Sequence, residues 1–415
     1  DFYPAEMHWR NTIFAAWRQA AGQFGFNQYD ACVVESLELL QRKSGPEIVE
    51  QIYAFQDKSG RALALRPEIT PTLARMIAAR QAALQWPLKW FAIAQCFRYE
   101  RMSRGRKREH YQWNLDIVGE PALSAEAELL ACALHALNLL GLDESAVQVY
   151  YNHRDLLADL LQQAGIEASQ QPAVLRALDK RGKISEEAIA DLLSAAGLKA
   201  AQIKSVLGII ALQSPAAAAQ RLGRSTPALE ELEALPRLLA HYGLADRLRF
   251  DIGVVRGLDY YTGMVFEAFD AERKLRALFG GGRYDRLLAD IGGQPLPAVG
   301  LGFGDVVIAE LLAAKGLTAQ ARLAPDMVIG FMGIEQQATA IQIGQALRRG
   351  GQSVGVALHP EKPKHFFARS GPGARRAIYL GPDDLARGTG RIKDLAARSE
   401  QEVSLAQLLA GQKCF

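Results

Sequence analysis

Phe97-Arg98-Tyr99-Glu100-Arg101-Met102-Ser103-Arg104-Gly105-Arg106-Lys107-Arg108 runs, after two more residues, into Tyr111-Gln112-Trp113-Asn114-Leu115-Asp116. The second segment has period two, so Gln112, Asn114 and Asp116 share one face of a strand while Trp113 and Leu115 point the other way. Lys89 to Phe97 reads as a partner strand. The loop between the two strands carries Arg98, Arg101, Arg104, Arg106, Lys107 and Arg108 against Glu100 alone. Guanidinium forks suit bidentate phosphate contact, and a polar face within a sheet fits a small-molecule pocket. Taken alone, the loop reads more readily as a solvated surface turn, and the strand equally as a solvated sheet face.

Outward from this pair, Met7 to Phe24 has the spacing of an amphipathic helix, and Cys32-Val33-Val34 reads as a short strand. Tyr53 to Leu65 predicts a hairpin turning at Asp57–Gly60, followed by a helix from Thr70 to Leu84. On the other side a helix runs from Ser124 to Leu140, with Ser124 as its N-cap. Val147 to Tyr151 is a strand, and Asp155 to Tyr242 is helical throughout, punctuated by glycine and proline. Strands are expected at Arg249–Val255, Met264–Ala268 and Ala277–Phe279, the last followed by glycine-rich turns. Gly316 to Pro325 reads as a linker. Beyond it, strand and helix alternate in a small α/β domain.

Hydrophobic residues make up 49% and charged residues 22% of the 415, the mix of a soluble globular chain, which excludes collagen-like and disordered classes. No run of about 18 apolar residues occurs, so no membrane partner is expected. Four scattered cysteines form no CxxC pair, and the expected setting is a reducing cytoplasm. The histidines lack metal-ligand spacing, so no metal centre is expected in the protein itself. A net charge of +3 implies no polyanion partner; only local clusters argue for one. The C-terminal domain from Asp326 carries twelve Lys/Arg against eight Asp/Glu, a local excess of positive charge.

Two further runs concentrate chemistry: Arg256-Gly257-Leu258-Asp259-Tyr260-Tyr261-Thr262-Gly263 and Gly281-Gly282-Arg283-Tyr284-Asp285. Gly300-Leu301-Gly302-Phe303-Gly304 lacks the GxGxxG spacing of a dinucleotide site and offers close backbone approach instead. In their order, these segments resemble the histidyl-tRNA synthetases, a family of class II aminoacyl-tRNA synthetases, along nearly the whole chain. Leu65-Arg66-Pro67-Glu68-Ile69-Thr70 is similar to the histidine- and ATP-proximal segment, and Phe97 to Asp116 to class II motif 2. Arg256 to Gly263 is similar to the histidine-specific signature. Tyr379-Leu380-Gly381 and Ile392-Lys393-Asp394-Leu395 resemble the anticodon-binding module. For the tRNA that this resemblance implies, Arg348, Arg349, Lys362, Lys364, Arg375, Arg376 and Arg391 are the basic candidates, with His365 and Phe366 as base stackers.

The resemblance implies an α+β fold: an antiparallel class II sheet flanked by helices, with a helical insertion and a C-terminal α/β anticodon-binding domain. The implied boundaries are 1–154 and 243–315 for the catalytic core, 155–242 for the insertion and 326–415 for the last domain. It implies ATP-dependent ligation of L-histidine to tRNA(His) through histidyl-adenylate, with Mg²⁺ on the pyrophosphate moiety, in a homodimer. Arg98 and Arg256 would be catalytic at the α-phosphate. Glu68, Thr70, Gln112, Asp116, Tyr260 and Tyr261 would bind histidine, and Arg98, Glu100, Arg106, His110, Arg256 and Arg283 would bind ATP. Three positions depart from the family. His110 stands where it has an adenine-stacking phenylalanine, Cys32 where motif 1 centres on proline, and Val307 where motif 3 ends in an ATP-contacting arginine, with Arg283 expected to compensate. Val307 keeps a second reading open: a catalytically silent paralogue acting as regulatory subunit of ATP phosphoribosyltransferase in histidine biosynthesis.

Overall fold

The computed structural model describes residues 1–43, 49–178, 184–255, 260–318, 324–370 and 373–411. Its chain divides into two compact units, Trp9–Thr318 and Ala319–Phe415, the latter together with Asp1–His8. The expected linker falls in part on residues 319–323, outside the described residues. No helix among the described residues is long and apolar enough to cross a membrane.

In the larger unit the strands are β1 Asn27–Gln28, β2 Val34–Ser36, β3 Tyr53–Gln56, β4 Ala62–Leu65, β5 Leu88–Phe97, β6 Glu109–Val118, β7 Val147–His153, β8 Leu248–Phe250, β9 Met264–Asp270, β10 Phe279–Arg283 and β11 Ala298–Gly304. Eight of them form one sheet in the order β1-β5-β6-β11-β10-β9-β7-β8, antiparallel except where β1 meets β5 and β7 meets β8. A small sheet, β2-β4-β3, contains the predicted hairpin. The fold is α+β, an antiparallel-rich sheet flanked by helices.

The alternation read in β6 is what seats the sheet. Trp113, Leu115 and Ile117 enter the main core, where Trp113 stacks on Trp17 of the helix Pro4–Gln23 at 5.7 Å. Trp17 also meets Phe303 of β11 at 5.5 Å. The helix Ser124–Leu139 is buried over most of its surface, which explains its unusually apolar sequence. Between β7 and β8 the chain forms six helices among the described residues, from Arg154–Gln163 to Pro227–Ala240. Ser185, Ser214 and Thr226 cap three of them, each accepting from a first-turn N–H. Their apolar faces, including Leu156, Val174, Leu193, Val206 and Leu232, join the same core as the sheet.

Four expectations are corrected. The glycine-rich run after Ala277–Phe279 is not a turn but strand β10, paired on both edges; glycine's weak strand preference hid it. The strand expected over Arg249–Val255 stops at Phe250, because Asp251 Oδ1 accepts from Gly253 N at 2.9 Å and bends the chain. Leu123, not Ser124, occupies the N-cap, and no side chain caps that helix. The strand expected at Cys32–Val34 lies at Val34–Ser36.

In the smaller unit, β12 Met327–Phe331, β13 Val354–Val356, β14 Arg376–Leu380, β15 Thr389–Asp394 and β16 Ser399–Ser404 are ordered β13-β12-β14-β15-β16. The first three are parallel and the last two antiparallel. Phe366 is 1% exposed and packs beneath Gly330, where a Cβ would come within 2.6 Å of its ring. It therefore fills the core of this unit and is not a surface base stacker.

Two stability tests follow from the sheet. A Cβ on Gly281 would overlap Gly300 O and stand 2.8 Å from Leu301 Cα, whereas one on Gly304 meets nothing within 4 Å. Gly281→Ala is expected to cost about 1–3 kcal/mol or more, and Gly304→Ala no more than about 0.5 kcal/mol, in urea unfolding followed by circular dichroism. The second concerns Glu126, fully buried in the first turn of the helix Ser124–Leu139, which binds Arg283 at the end of β10 through two 2.6 Å bonds. Glu126→Ala, which strands the guanidinium, is expected to cost about 3–5 kcal/mol. The double variant Glu126→Ala/Arg283→Met is expected to lose less than the two single losses together.

Candidate active site

β6 turns Gln112, Asn114 and Asp116 toward a cavity whose floor is Gly280 of β10 and Gly300, Leu301 and Gly302 of β11. Gly300 lies opposite Asp116 and Gly302 opposite Asn114 in the register. The floor is glycine for a steric reason. A Cβ on Gly300 would overlap the Asp116 carboxylate, and one on Gly302 the Gln112 amide. The two polar side chains thus lie across β11 in space that any other residue would occupy.

The remaining walls come from four segments. Glu68 and Thr70 stand at the start of the helix Thr70–Arg80. They are held in place by the buried Arg66, which donates to Gln95 O at 2.9 Å and Ala31 O at 2.8 Å. Arg98 leaves the end of β5, and its Nε donates to Pro67 O at 3.0 Å. Tyr260 and Tyr261 precede β9, their rings 4.8 Å apart, and the Tyr260 hydroxyl donates to Glu68 Oε2 at 3.0 Å. The turn that carries them is fixed by Arg154, whose guanidinium donates to Tyr261 O at 2.8 Å and whose backbone N–H donates to Gly263 O at 3.0 Å. Tyr284 closes the far side, donating its hydroxyl to Asp116 Oδ1 at 2.6 Å.

This leaves a cavity lined by acceptors. Asp116 Oδ2, Asn114 Oδ1 and Gln112 Oε1 are buried, with no hydrogen-bond partner among the described residues. Burial, reinforced by the nearby Glu68, pushes the Asp116 carboxyl up to about 7 against the opposing Tyr284 bond. The site is therefore suited to a ligand bringing N–H donors and positive charge. At its open edge Arg98 supplies a cation. Burial, and then the charge of Arg98, lower His110 to about 3, so its ring is neutral at pH 7.

Of the residues singled out from the sequence, Glu68, Thr70, Arg98, Gln112, Asp116, Tyr260 and Tyr261 line this one cavity. Glu100 and Arg106 pair with each other at 2.8 Å in the arginine loop. His110 sits across from Cys96 at the start of β6. Arg256 lies outside the described residues. Arg283 is placed apart: its guanidinium is committed to Glu126 and to Glu120 O at 3.2 Å, so the compensating role expected of it does not fit. Tyr284 and Asn114 were missed as site residues. The period-two face already contained Asn114, whereas nothing in the local sequence of Tyr284 distinguishes it from a packing tyrosine.

A family model for histidyl-tRNA synthetase matches residues 1–304. The histidine--tRNA ligase of Opitutus terrae is 40% identical over 100% of this chain and 97% of its own length. The chloroplastic/mitochondrial histidine--tRNA ligase of Arabidopsis thaliana is 38% identical over 98% of this chain and 84% of its own. The crystal structure of histidyl-tRNA synthetase from Nostoc sp. PCC 7120 shares the fold with a TM-score of 0.81 at 24% identity, over 99% of this chain and 96% of that one. By the family match and these full-length relatives, the chain belongs to the histidyl-tRNA synthetase family.

Proposed function

We propose that this protein is an aminoacyl-tRNA ligase that joins L-histidine to tRNA(His) at the expense of ATP. The observation that carries this reading is the buried, unpartnered Oδ2 of Asp116 facing a cavity that also holds Glu68, Thr70 and Gln112, with Arg98 at its edge. One oxygen of the histidine carboxylate attacks the α-phosphorus of ATP, the bond to the bridging oxygen breaks, and pyrophosphate leaves. The 3′-hydroxyl of the terminal adenosine of the tRNA then attacks the acyl carbon of histidyl-adenylate, loses its proton and releases AMP.

Attack by an anion on a polyanion is governed by charge, so fixed cations supply most of the rate. In this reading Arg98 and Arg256 neutralise the α-phosphate, and Glu100, Arg106 and His110 border the nucleotide, His110 as a neutral flat ring against the adenine. Glu68, Thr70 and Gln112 hold the α-ammonium. Asp116 and Tyr261 take the two ring nitrogens, with Tyr260 bracing Glu68. A site built around such bonds rejects side chains lacking them by roughly 10⁴–10⁵, because its own buried acceptors would be left unpaired.

No group of three or more His, Cys, Asp or Glu able to hold a metal occurs among the described residues. Magnesium enters this reading on the pyrophosphate moiety of the nucleotide, and no step is routed through it. We read residues 1–154 and 243–315 as the catalytic core, 155–242 as the insertion, and 326–415 as the anticodon-binding domain. The working form is a homodimer in a reducing cytoplasm, where the exposed Cys32 thiol stays free. Arg98 in the cavity and full-length likeness to ligases favour this reading over a silent regulatory paralogue.

Histidine-dependent ATP–pyrophosphate exchange is the direct assay. Arg98→Ala and Arg256→Ala are each expected to lower its rate by roughly 10²–10³, and a chain that binds histidine without any exchange would overturn the ligase reading. The Asp116 carboxyl supplies a pH test. It is charged above about 7 and neutral below, and only the charged form presents two acceptors, one for Tyr284 and one for the ligand. The kcat/KM for histidine is accordingly expected to fall as pH drops below about 7. Asp116→Asn is expected to remove that limb along with most of the affinity.

A further inference from the structure

Val307 leaves the nucleotide one arginine short of the family pattern, and Arg283 is held by Glu126. The structure brings another arginine next to the glycine that Val307 touches. Val307 belongs to the helix Asp305–Ala314 and is 7% exposed, with its side chain turned toward Gly105 in the arginine loop. Gly105 has φ +74° and is pinned to the same helix by donating to Glu310 Oε1 at 2.8 Å, while Arg104 pairs with Glu310 at 3.4 Å. A Cβ placed on Gly105 would lie 3.5 Å from Val307 Cγ2, 3.4 Å from Arg276 Cγ and 3.2 Å from Arg276 Cδ. The Arg276 stem and the Val307 methyl therefore both pack against Gly105, in the loop that carries Arg104 and Arg106.

The backbone that delivers Arg276 is fixed. Buried Asp270 accepts from Lys274 N at 3.0 Å and from Leu275 N at 2.8 Å, and Leu278 N returns to Ala268 O at 2.8 Å. Arg276 is half-buried and enters β10 three residues later, the strand that supplies Gly280 to the cavity floor. The guanidinium that this stem carries is a planar cation suited to lying against a purine or forking onto phosphate.

We propose that Arg276 binds the nucleotide in place of the arginine absent at position 307. The proposal rests on the ligase reading and assigns the cation to a different strand of the same site. Arg276→Met keeps the alkyl stem and removes the charge. In histidine-dependent exchange it is expected to raise KM for ATP about tenfold or more, the size of one charge-assisted bond, while KM for histidine stays within about twofold. Adding Val307→Arg to Arg276→Met is expected to bring KM for ATP back to within about threefold of the parent. An unchanged KM for ATP in Arg276→Met would overturn the proposal. So would a parallel rise in both KM values with a lowered melting temperature, the mark of a structural residue. Calorimetric titration with MgATP separates this from failure of the ligase reading. A parent without exchange that still binds MgATP, with Arg276→Met about tenfold weaker, would sink the reaction and keep the assignment; equal binding would sink the assignment.

Discussion

Asp116 is a carboxylate inside a sheet, and burying it requires space before it requires partners. The space comes from leaving out atoms: Gly300 has no Cβ where the carboxylate lies, and Gly302 none where the Gln112 amide lies. Glycine weakens a strand by about 0.5–1 kcal/mol relative to alanine, and β10 and β11 accept that loss at five interior positions, Gly280, Gly281, Gly282, Gly300 and Gly302. Their reward is a close backbone approach that sets the depth of the cavity. The opposite face of β6 recovers the loss by burying Trp113, Leu115 and Ile117 in the main core. A polar site in the middle of a sheet is thus stable because the face behind it is apolar and the strand beside it is bare.

Arginine serves three distinct ends around this floor, and partner geometry separates them. Arg66 is a strut: its donors end on backbone carbonyls, and it is 2% exposed. Arg283 is a clamp, joining the end of β10 to a carboxylate in the first turn of a buried helix. Arg98 touches Pro67 O through Nε and presents its guanidinium to the cavity. A cation already spent on a buried carboxylate cannot also meet a phosphate without exposing that carboxylate to an apolar surround. Proximity to the site is therefore a poor guide to function for an arginine, and the identity of its present partners is a better one.

Much of this was legible in the sequence where a physical period or a steric rule operates on neighbouring residues. The period-two strand Tyr111 to Asp116, the hairpin turning at Asp57–Gly60 and the helical run after Asp155 all appear in the structure, because alternation, turn residues and caps act locally. The seven cavity residues found from motif resemblance lie together. What escaped depends on distant partners. The Glu126 that claims Arg283 is 157 residues away, and the Asp116 that orients Tyr284 is 168 away. Strand β10 was hidden because its glycines are chosen for what passes over them. The hairpin β15–β16 was hidden because its outer strand is almost wholly polar, with only Val403 buried. Phe366 looked available because an aromatic near lysines has the composition of a base-stacking surface, and only packing reveals that it faces inward.

The proton on Asp116 connects the steric argument to recognition. In water an aspartate near 3.9 and an imidazole near 6.5 leave the proton firmly on the ring. Burial brings the Asp116 carboxyl to about 7 and so close to an imidazole. In the proposed complex a cationic ring holds Asp116 in its charged form, which accepts from Tyr284 and from the ring N–H at once. An amide or hydroxyl side chain offers the same acceptor a donor but no exchangeable charge, and an aliphatic one leaves Oδ2 buried and unpaired. In the proposed complex the raised carboxyl thus favours a ligand that brings its own positive charge, and the burial that raises it follows from the same glycines that let the side chain lie flat against β11. Exposing Asp116 would return it toward an ordinary carboxylate, which binds any nearby cation and distinguishes imidazole from none of them.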